Sequence, residues 1–188
     1  MLSTFMNFPN TITLLRIFLV PLLVLALGRQ AYAWALCVFL VASISDVLDG
    51  YIARRFNWRS RLGEVLDPLA DKLLVVAVVL MLAWQGWLPY WLAILIVLRD
   101  VVIVSGALAY HRFIGPLEIS PTYLSKANTV LQFLLLVLVL ADAAAWLHVG
   151  AFLPVVYWVV FLSTLLSGFN YVWHWSHRAA RDKKENVL

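Results

Sequence analysis

Charged residues are scarce in this chain. Only 13% of its 188 residues are Asp, Glu, Lys or Arg, whereas 64% are hydrophobic. A soluble domain usually has about 25% charged residues and about half apolar ones, so this composition excludes an ordinary soluble fold. Because the apolar excess has to face lipid, the sequence predicts an integral membrane protein.

Cysteine is almost absent, and the net charge is small. Cys37 is the single cysteine, so no internal disulfide can form. It lies in an apolar run, where we expect it to pack as a small side chain. The formal net charge is +4, and the basic residues lie beside apolar runs. This distribution favours the headgroups of membrane lipids, and not nucleic acid, as the charged partner.

Six apolar runs approach the roughly 20 residues that a transmembrane helix needs. They cover residues 12–27, 32–48, 69–84, 90–110, 130–147 and 152–173. We therefore predict an all-α integral membrane fold with six transmembrane helices. We expect the first of them to be a retained span and not a cleaved signal peptide. Residues 1–176 are expected to form a single membrane domain, and residues 177–188 a basic cytoplasmic tail.

The basic residues predict the orientation. They fall on the second-to-third connection, the fourth-to-fifth connection and the tail, whereas the other side has only Arg29. By the positive-inside rule, both termini are cytoplasmic. Tryptophan and tyrosine flank the charge-poor connections, as in an outer interfacial belt. We expect a multi-pass protein of the cell (inner) membrane.

Four of the seven aspartates lie in one stretch of 26 residues, at the ends of two apolar runs: Asp46, Asp49, Asp67 and Asp71. A carboxylate inside a membrane costs about 2.5–3.5 kcal/mol even on a permissive scale. The spacings of three and four residues place each pair on one helix face. We expect the two pairs to face each other across a short cytoplasmic connection.

A carboxylate cluster of this kind needs positive charge. All-oxygen ligation suits Mg²⁺, Mn²⁺ or Ca²⁺, and two such ions can clamp the attacking and leaving oxygens around a phosphorus atom. Gly50 permits a close approach to the helix, and Arg54 can pair with a phosphate. The alternative is that the aspartates only form ion pairs with neighbouring arginines.

The stretch reads Asp46, Asp49, Gly50, Ala53, Arg54, Gly63, Asp67 and Asp71 at fixed spacing. This pattern resembles the complete motif of the CDP-alcohol phosphatidyltransferases, and the six-helix layout extends the resemblance over nearly the whole chain. The resemblance implies that an alcohol hydroxyl displaces CMP from CDP-diacylglycerol with two divalent ions, Mg²⁺ or Mn²⁺. It also implies a homodimer.

The resemblance implies roles for these residues. All four aspartates would bind the metal ions, and Asp71 would also take the hydroxyl proton. The CDP site would be lined by Asp46, Gly50, Ala53, Arg54, Gly63 and Asp67.

Charged residues later in the sequence indicate how the acceptor alcohol could be bound. Arg99 with Asp100 lies within the fourth run, and Lys126 begins the fifth helix. Intramembrane charges are functional by default, so we predict that Arg99 and Lys126 bind the acceptor's phosphate. The alternatives are a charge-balancing pair of Arg99 with Asp100, and a Lys126 side chain that snorkels to the interface.

The residues from Ser125 to Thr129 resemble the branch of the family whose acceptor is phosphatidylglycerol. They lack the second lysine that is typical of members acting on glycerol 3-phosphate. Phosphatidylglycerol is therefore the leading acceptor and glycerol 3-phosphate the alternative. A divalent-cation transporter is the alternative from another class, since intramembrane aspartates also mark ion pathways.

Overall fold

The computed structural model describes the backbone of residues 8–56, 61–113 and 123–185. Side chains are described over residues 18–45, 72–106 and 123–171, together with Leu48. Within these ranges the chain forms six α-helices and no strand, as predicted. They are α1 (Phe8–Gly28), α2 (Tyr32–Phe56), α3 (Arg61–Trp84), α4 (Tyr90–Phe113), α5 (Tyr123–Ala143) and α6 (Leu153–Glu185).

Helices α1, α2 and α3, with residues 136–150, form one of two compact units. Helix α1 packs against both α2 and α3. Apolar residues four positions apart share a helix face, and such positions are fully buried here: Leu23 and Leu27 on α1, and Val78 and Leu82 on α3. The core of this unit is therefore an aliphatic seam between helices.

Three helices end in the same way, because a carbonyl group left free at a helix end needs a donor. The second residue after the end of each helix adopts a positive φ: Gln30 (56°), Gly86 (80°) and Ala145 (57°). The following N–H then bonds to a carbonyl five residues earlier. These bonds run from Ala31 to Ala26, from Trp87 to Leu82 and from Trp146 to Ala141, each 2.9 Å long. This is the Schellman geometry.

The second unit consists of α4, residues 123–135 of α5, and α6. Helix α4 packs against α6, and the two run parallel: Trp91 meets Trp158 with ring centroids 5.6 Å apart, and eight residues further along α4, Arg99 meets Ser167. Around the apolar core residues Leu92 and Ile96, this unit also buries an unusual set of polar side chains: Arg99, Asp100, Asn128, Gln132, Thr164 and Ser167.

Large apolar side chains cover the outside of several helices. Phe18 on α1, Ile94 on α4 and Phe169 on α6 are more than 60% exposed, which is expected for surfaces that contact lipid. Among the described residues, Tyr123–Ala143 and Leu153–Tyr171 are long and apolar enough to cross a membrane. Cys37 is exposed on α2. The expectation that it packs inside the protein is wrong, because its face of the helix is turned outward.

Candidate functional site

The predicted metal ligands lie on two consecutive helices. Asp46 and Asp49 belong to α2, and Asp67 and Asp71 belong to α3. Both segments have continuous helical backbone, so residues three or four apart share a face. The side chains of the aspartates lie outside the described residues, as do those of the predicted nucleotide-site residues Gly50, Ala53, Arg54 and Gly63. Among the side chains that are described, no three His, Cys, Asp or Glu residues cluster.

A buried ion pair lies on α4. The side chains of Arg99 and Asp100 are 4% and 6% exposed, and Arg99 Nη1 donates to Asp100 Oδ1 at 2.8 Å. An unpaired buried charge costs several kcal/mol, and pairing offsets much of that cost. The charge-balancing pair that the sequence left as an alternative is therefore formed, and the positive charge of Arg99 is largely compensated.

Two serines from two other helices hold the same guanidinium. Arg99 Nη2 donates to Ser125 Oγ of α5 at 2.7 Å and to Ser167 Oγ of α6 at 2.8 Å. With the bond to Asp100, these contacts use three of the five N–H groups of arginine. The Nε atom is buried and has no partner in the described part of the chain. Because an unsatisfied buried donor costs about 1–3 kcal/mol, the guanidinium is suited to bind an additional anionic oxygen.

A second polar layer lies one turn further along α5. Asn128 is 0% exposed, and its Oδ1 accepts from Ser163 Oγ at 2.7 Å and from Thr164 Oγ1 at 2.9 Å. Thr164 Oγ1 in turn accepts from Gln132 Nε2 at 3.3 Å. Buried polar groups in membrane proteins join helices through such bonds. We call this set the polar seam: Ser125, Asn128 and Gln132 on α5, and Ser163, Thr164 and Ser167 on α6.

Lys126 lies outside the polar seam. Its side chain is exposed, and Nζ lies 5.9 Å from the centre of the Tyr123 ring, a cation–π distance. In the described part of the chain no hydrogen bond joins it to Arg99. The structure thus brings together Arg99, Ser125 and Ser167, and it places the other predicted acceptor residue on the helix surface.

The hydroxyl groups around Arg99 were not predicted. Ser163, Thr164 and Ser167 recur at a spacing of one and four residues in the otherwise apolar α6, so they share a helix face. A polar stripe of this kind in a transmembrane helix faces the bundle interior and not lipid. That spacing is the signal from which these residues could have been found.

Comparison with known proteins gives a family match. The model of the family described as CDP-alcohol phosphatidyltransferase matches residues 6–169. This range contains the four aspartates, the residues between them and the polar seam.

Several curated proteins are similar over most of the chain. A cardiolipin synthase (CMP-forming) / mitochondrial hydrolase fusion protein of Schizosaccharomyces pombe is 36% identical over 87% of this chain, which spans 30% of that relative's length. A cardiolipin synthase (CMP-forming) of Streptomyces coelicolor is 33% identical, over 76% of this chain and 69% of its own. A CDP-diacylglycerol--glycerol-3-phosphate 3-phosphatidyltransferase of Rickettsia felis is 31% identical, over 88% and 93%.

Proposed function

Because the chain belongs to the CDP-alcohol phosphatidyltransferase family, we propose that it transfers the phosphatidyl group of CDP-diacylglycerol to phosphatidylglycerol. The products are cardiolipin and CMP. A hydroxyl oxygen of the acceptor's glycerol attacks the phosphorus of the phosphatidyl group, and the bond from that phosphorus to the CMP oxygen breaks. Since members of this family are membrane-bound enzymes of phospholipid biosynthesis, the reading as a cation transporter is not supported.

The observation that supports this acceptor is the Arg99–Asp100 pair. The two side chains are buried and 2.8 Å apart, so together they add little net positive charge to the seam. A dianion such as glycerol 3-phosphate would need more positive charge there than this pair offers. Phosphatidylglycerol carries a single negative charge on a phosphodiester, which the remaining Nε–H group of Arg99 can bind.

Lys126 acts at the protein surface in the proposed reaction. Its exposed ammonium, held beside the Tyr123 ring, attracts anionic headgroups from the interface. Arg99 then binds the acceptor's phosphate within the unit formed by α4, α5 and α6.

The proposed cofactor is a pair of divalent ions, Mg²⁺ or Mn²⁺. The donor set fits, because Asp46 and Asp49 on α2, and Asp67 and Asp71 on α3, supply only carboxylate oxygens. When bound, ions of this type neutralise the diphosphate and stabilise the leaving oxygen.

Side chains of the protein supply the base and the nucleotide-binding site. Asp71 accepts the proton from the attacking hydroxyl, which makes that oxygen a better nucleophile. The CDP site is lined by Asp46, Gly50, Ala53, Arg54, Gly63 and Asp67. Gly50 leaves room for close approach of the nucleotide, and Arg54 can pair with its diphosphate.

We also propose a membrane arrangement. The six helices all span the cell (inner) membrane within a single domain over residues 1–176, both termini and the site are cytoplasmic, and two copies form a homodimer. Support for the orientation comes from exposed aromatic side chains near the charge-poor connections, among them Trp34, Trp84 and Trp146.

Product analysis with both acceptors tests the proposed reaction. The purified chain is given labelled CDP-diacylglycerol, Mg²⁺ or Mn²⁺, and either phosphatidylglycerol or glycerol 3-phosphate, and the lipids are separated by thin-layer chromatography. We expect cardiolipin with the first acceptor and little product with the second. Phosphatidylglycerophosphate as the main product would contradict the proposed acceptor and favour glycerol 3-phosphate.

A further inference from the structure

The polar seam contains a second buried donor to which no role has been assigned. Asn128 is fully buried, and its Nδ2 atom has no partner in the part of the chain that the structure describes. Its Oδ1 atom already accepts two hydroxyl bonds. The Ser163 and Thr164 hydroxyl groups both bond to Oδ1, so Nδ2 is the edge of the amide without a partner in that part of the chain.

The position of Asn128 along the membrane-crossing helix limits which parts of a lipid its Nδ2 donor can contact. Ser125, which holds Arg99, lies in the first turn of α5, and Asn128 lies three residues further along the same helix. That step is about 4.5 Å along the helix axis. Since Tyr123–Ala143 is long enough to cross a membrane, the step leads toward the hydrocarbon core.

The structure of a phospholipid matches this order. Its phosphate lies at the interface, and the ester carbonyls of its two acyl chains lie on the hydrocarbon side of the phosphate. A phosphodiester bound at Arg99 would therefore bring an ester carbonyl to the level of Asn128. A carbonyl oxygen is neutral, so a neutral amide N–H is a suitable donor for it, and no additional charge has to be buried.

We infer that Asn128 Nδ2 donates a hydrogen bond to an acyl ester carbonyl of the acceptor lipid. Position 128 is then a specificity determinant: it favours a diacyl phospholipid over glycerol 3-phosphate, which has no acyl ester carbonyl. This inference rests on the proposed function, because it needs the acceptor's phosphate at Arg99.

Ether-linked phosphatidylglycerol tests the inference, since it keeps the phosphate and glycerol but lacks the carbonyls. The full chain in vesicles is given ester-linked CDP-diacylglycerol and either ester- or ether-linked phosphatidylglycerol of equal chain length. For the wild-type chain we expect kcat/KM to be about fivefold to tenfold lower with the ether lipid, the effect of one hydrogen bond. In Asn128→Ala the two lipids should be used equally well.

Gln132→Ala provides the matched control. It removes a buried amide from the same face of α5, but the Gln132 amide donor already has Thr164 as its partner. If Asn128 acts only by joining α5 to α6, the two substitutions should alter the ester-to-ether ratio alike. The inference requires that Gln132→Ala keeps the wild-type ratio.

Several outcomes would overturn the inference. Equal use of the ester and ether acceptors by the wild-type chain would do so without any variant, even if Asn128→Ala failed to fold. A separate comparison of ester- and ether-linked CDP-diacylglycerol identifies the lipid in contact: a lower kcat/KM with the ether-linked donor, together with equal use of the two acceptors, would assign the contact to the donor lipid. If cardiolipin forms without a preference for the ester lipid, only the role of Asn128 is refuted and the proposed function stands. If phosphatidylglycerol is not used in either form, the proposed function itself is refuted.

Discussion

At the scale of single residues, a buried arginine organises the second unit. Arg99 binds one side chain from each of α4, α5 and α6, through Asp100, Ser125 and Ser167. The sequence predicted that Arg99 matters, because a charge within an apolar run is costly. The spacing of the α6 hydroxyl groups indicates an inward face, but it does not identify Arg99 as their partner, since a hydroxyl in a membrane helix can bond to its own backbone, as Ser43 does to the Phe39 carbonyl at 2.8 Å.

Arg99→Lys separates charge from geometry at this position. Lysine keeps the positive charge beside Asp100 but loses the planar fork that reaches both serines and the acceptor. We expect the KM for phosphatidylglycerol to rise about tenfold or more, with less than about a twofold change for CDP-diacylglycerol. Steady-state kinetics with each substrate varied in turn provides the measurement.

Arg29→Lys is the control for the arginine substitution. Arg29 is exposed and lies between α1 and α2, on the side that the sequence predicts to be external, so both KM values should stay at the wild-type level. Equal increases of the two KM values in Arg99→Lys would show that Arg99 does not act on the acceptor in particular.

At the scale of helices, apolar runs predicted the number and order of the elements but not their ends. Helix α5 begins at Tyr123, seven residues before the apolar run that predicts it. The intervening positions include Ser125 and Asn128, which are polar because they face other helices. Helix α6 extends to Glu185, beyond the apolar part of its sequence. An apolar run marks only the part of a helix that faces lipid. The backbone hydrogen bonds of the helix continue beyond that part.

The left-handed residue after α3 gives a test of a helix end. Gly86 has φ +80°, a conformation that costs a residue with a Cβ about 1–2 kcal/mol. We expect Gly86→Ala to lower the midpoint of thermal unfolding in detergent by about 2–4 °C or more.

Gly28→Ala is the matched control for the end of α1. Gly28 is the last residue of the helix, and a Cβ there meets nothing within 4 Å. Alanine favours the helix over glycine by up to about 1 kcal/mol, so its midpoint should stay equal or rise. A Gly86→Ala chain as stable as the wild type would show that the Schellman end of α3 adds little to stability.

At the scale of the whole molecule, composition and the distribution of charge predicted an all-helical membrane protein. The six helices and the family match agree with this reading. The spacing of the four aspartates led to the hypothesis that they bind metal ions, and this stays a prediction because their side chains lie outside the described residues. Long-range contacts such as those of Arg99 are set by helix packing, which spacing within one helix does not encode.

Cysteine labelling tests the proposed orientation. In a Cys37→Ser background, Gln30→Cys introduces a thiol between α1 and α2, and Lys184→Cys introduces one near the end of α6. In intact cells, a membrane-impermeant maleimide should label the first thiol and reach the second only after permeabilisation. The reverse pattern would contradict cytoplasmic termini.

The proposed reaction requires that the aspartates of α2 and α3 hold divalent ions for phosphatidyl transfer. CMP release by the purified chain, measured with Mg²⁺ or Mn²⁺ and with excess chelator, tests it directly for the wild type, Asp71→Asn and the control Asp142→Asn. Asp142 accepts hydrogen bonds from the backbone N–H groups of Val149 and Gly150. We expect release to need the metal, to fall about 10³-fold or more in Asp71→Asn, and to persist in Asp142→Asn. Release that continues in chelator, or in Asp71→Asn at the wild-type rate, would contradict the account.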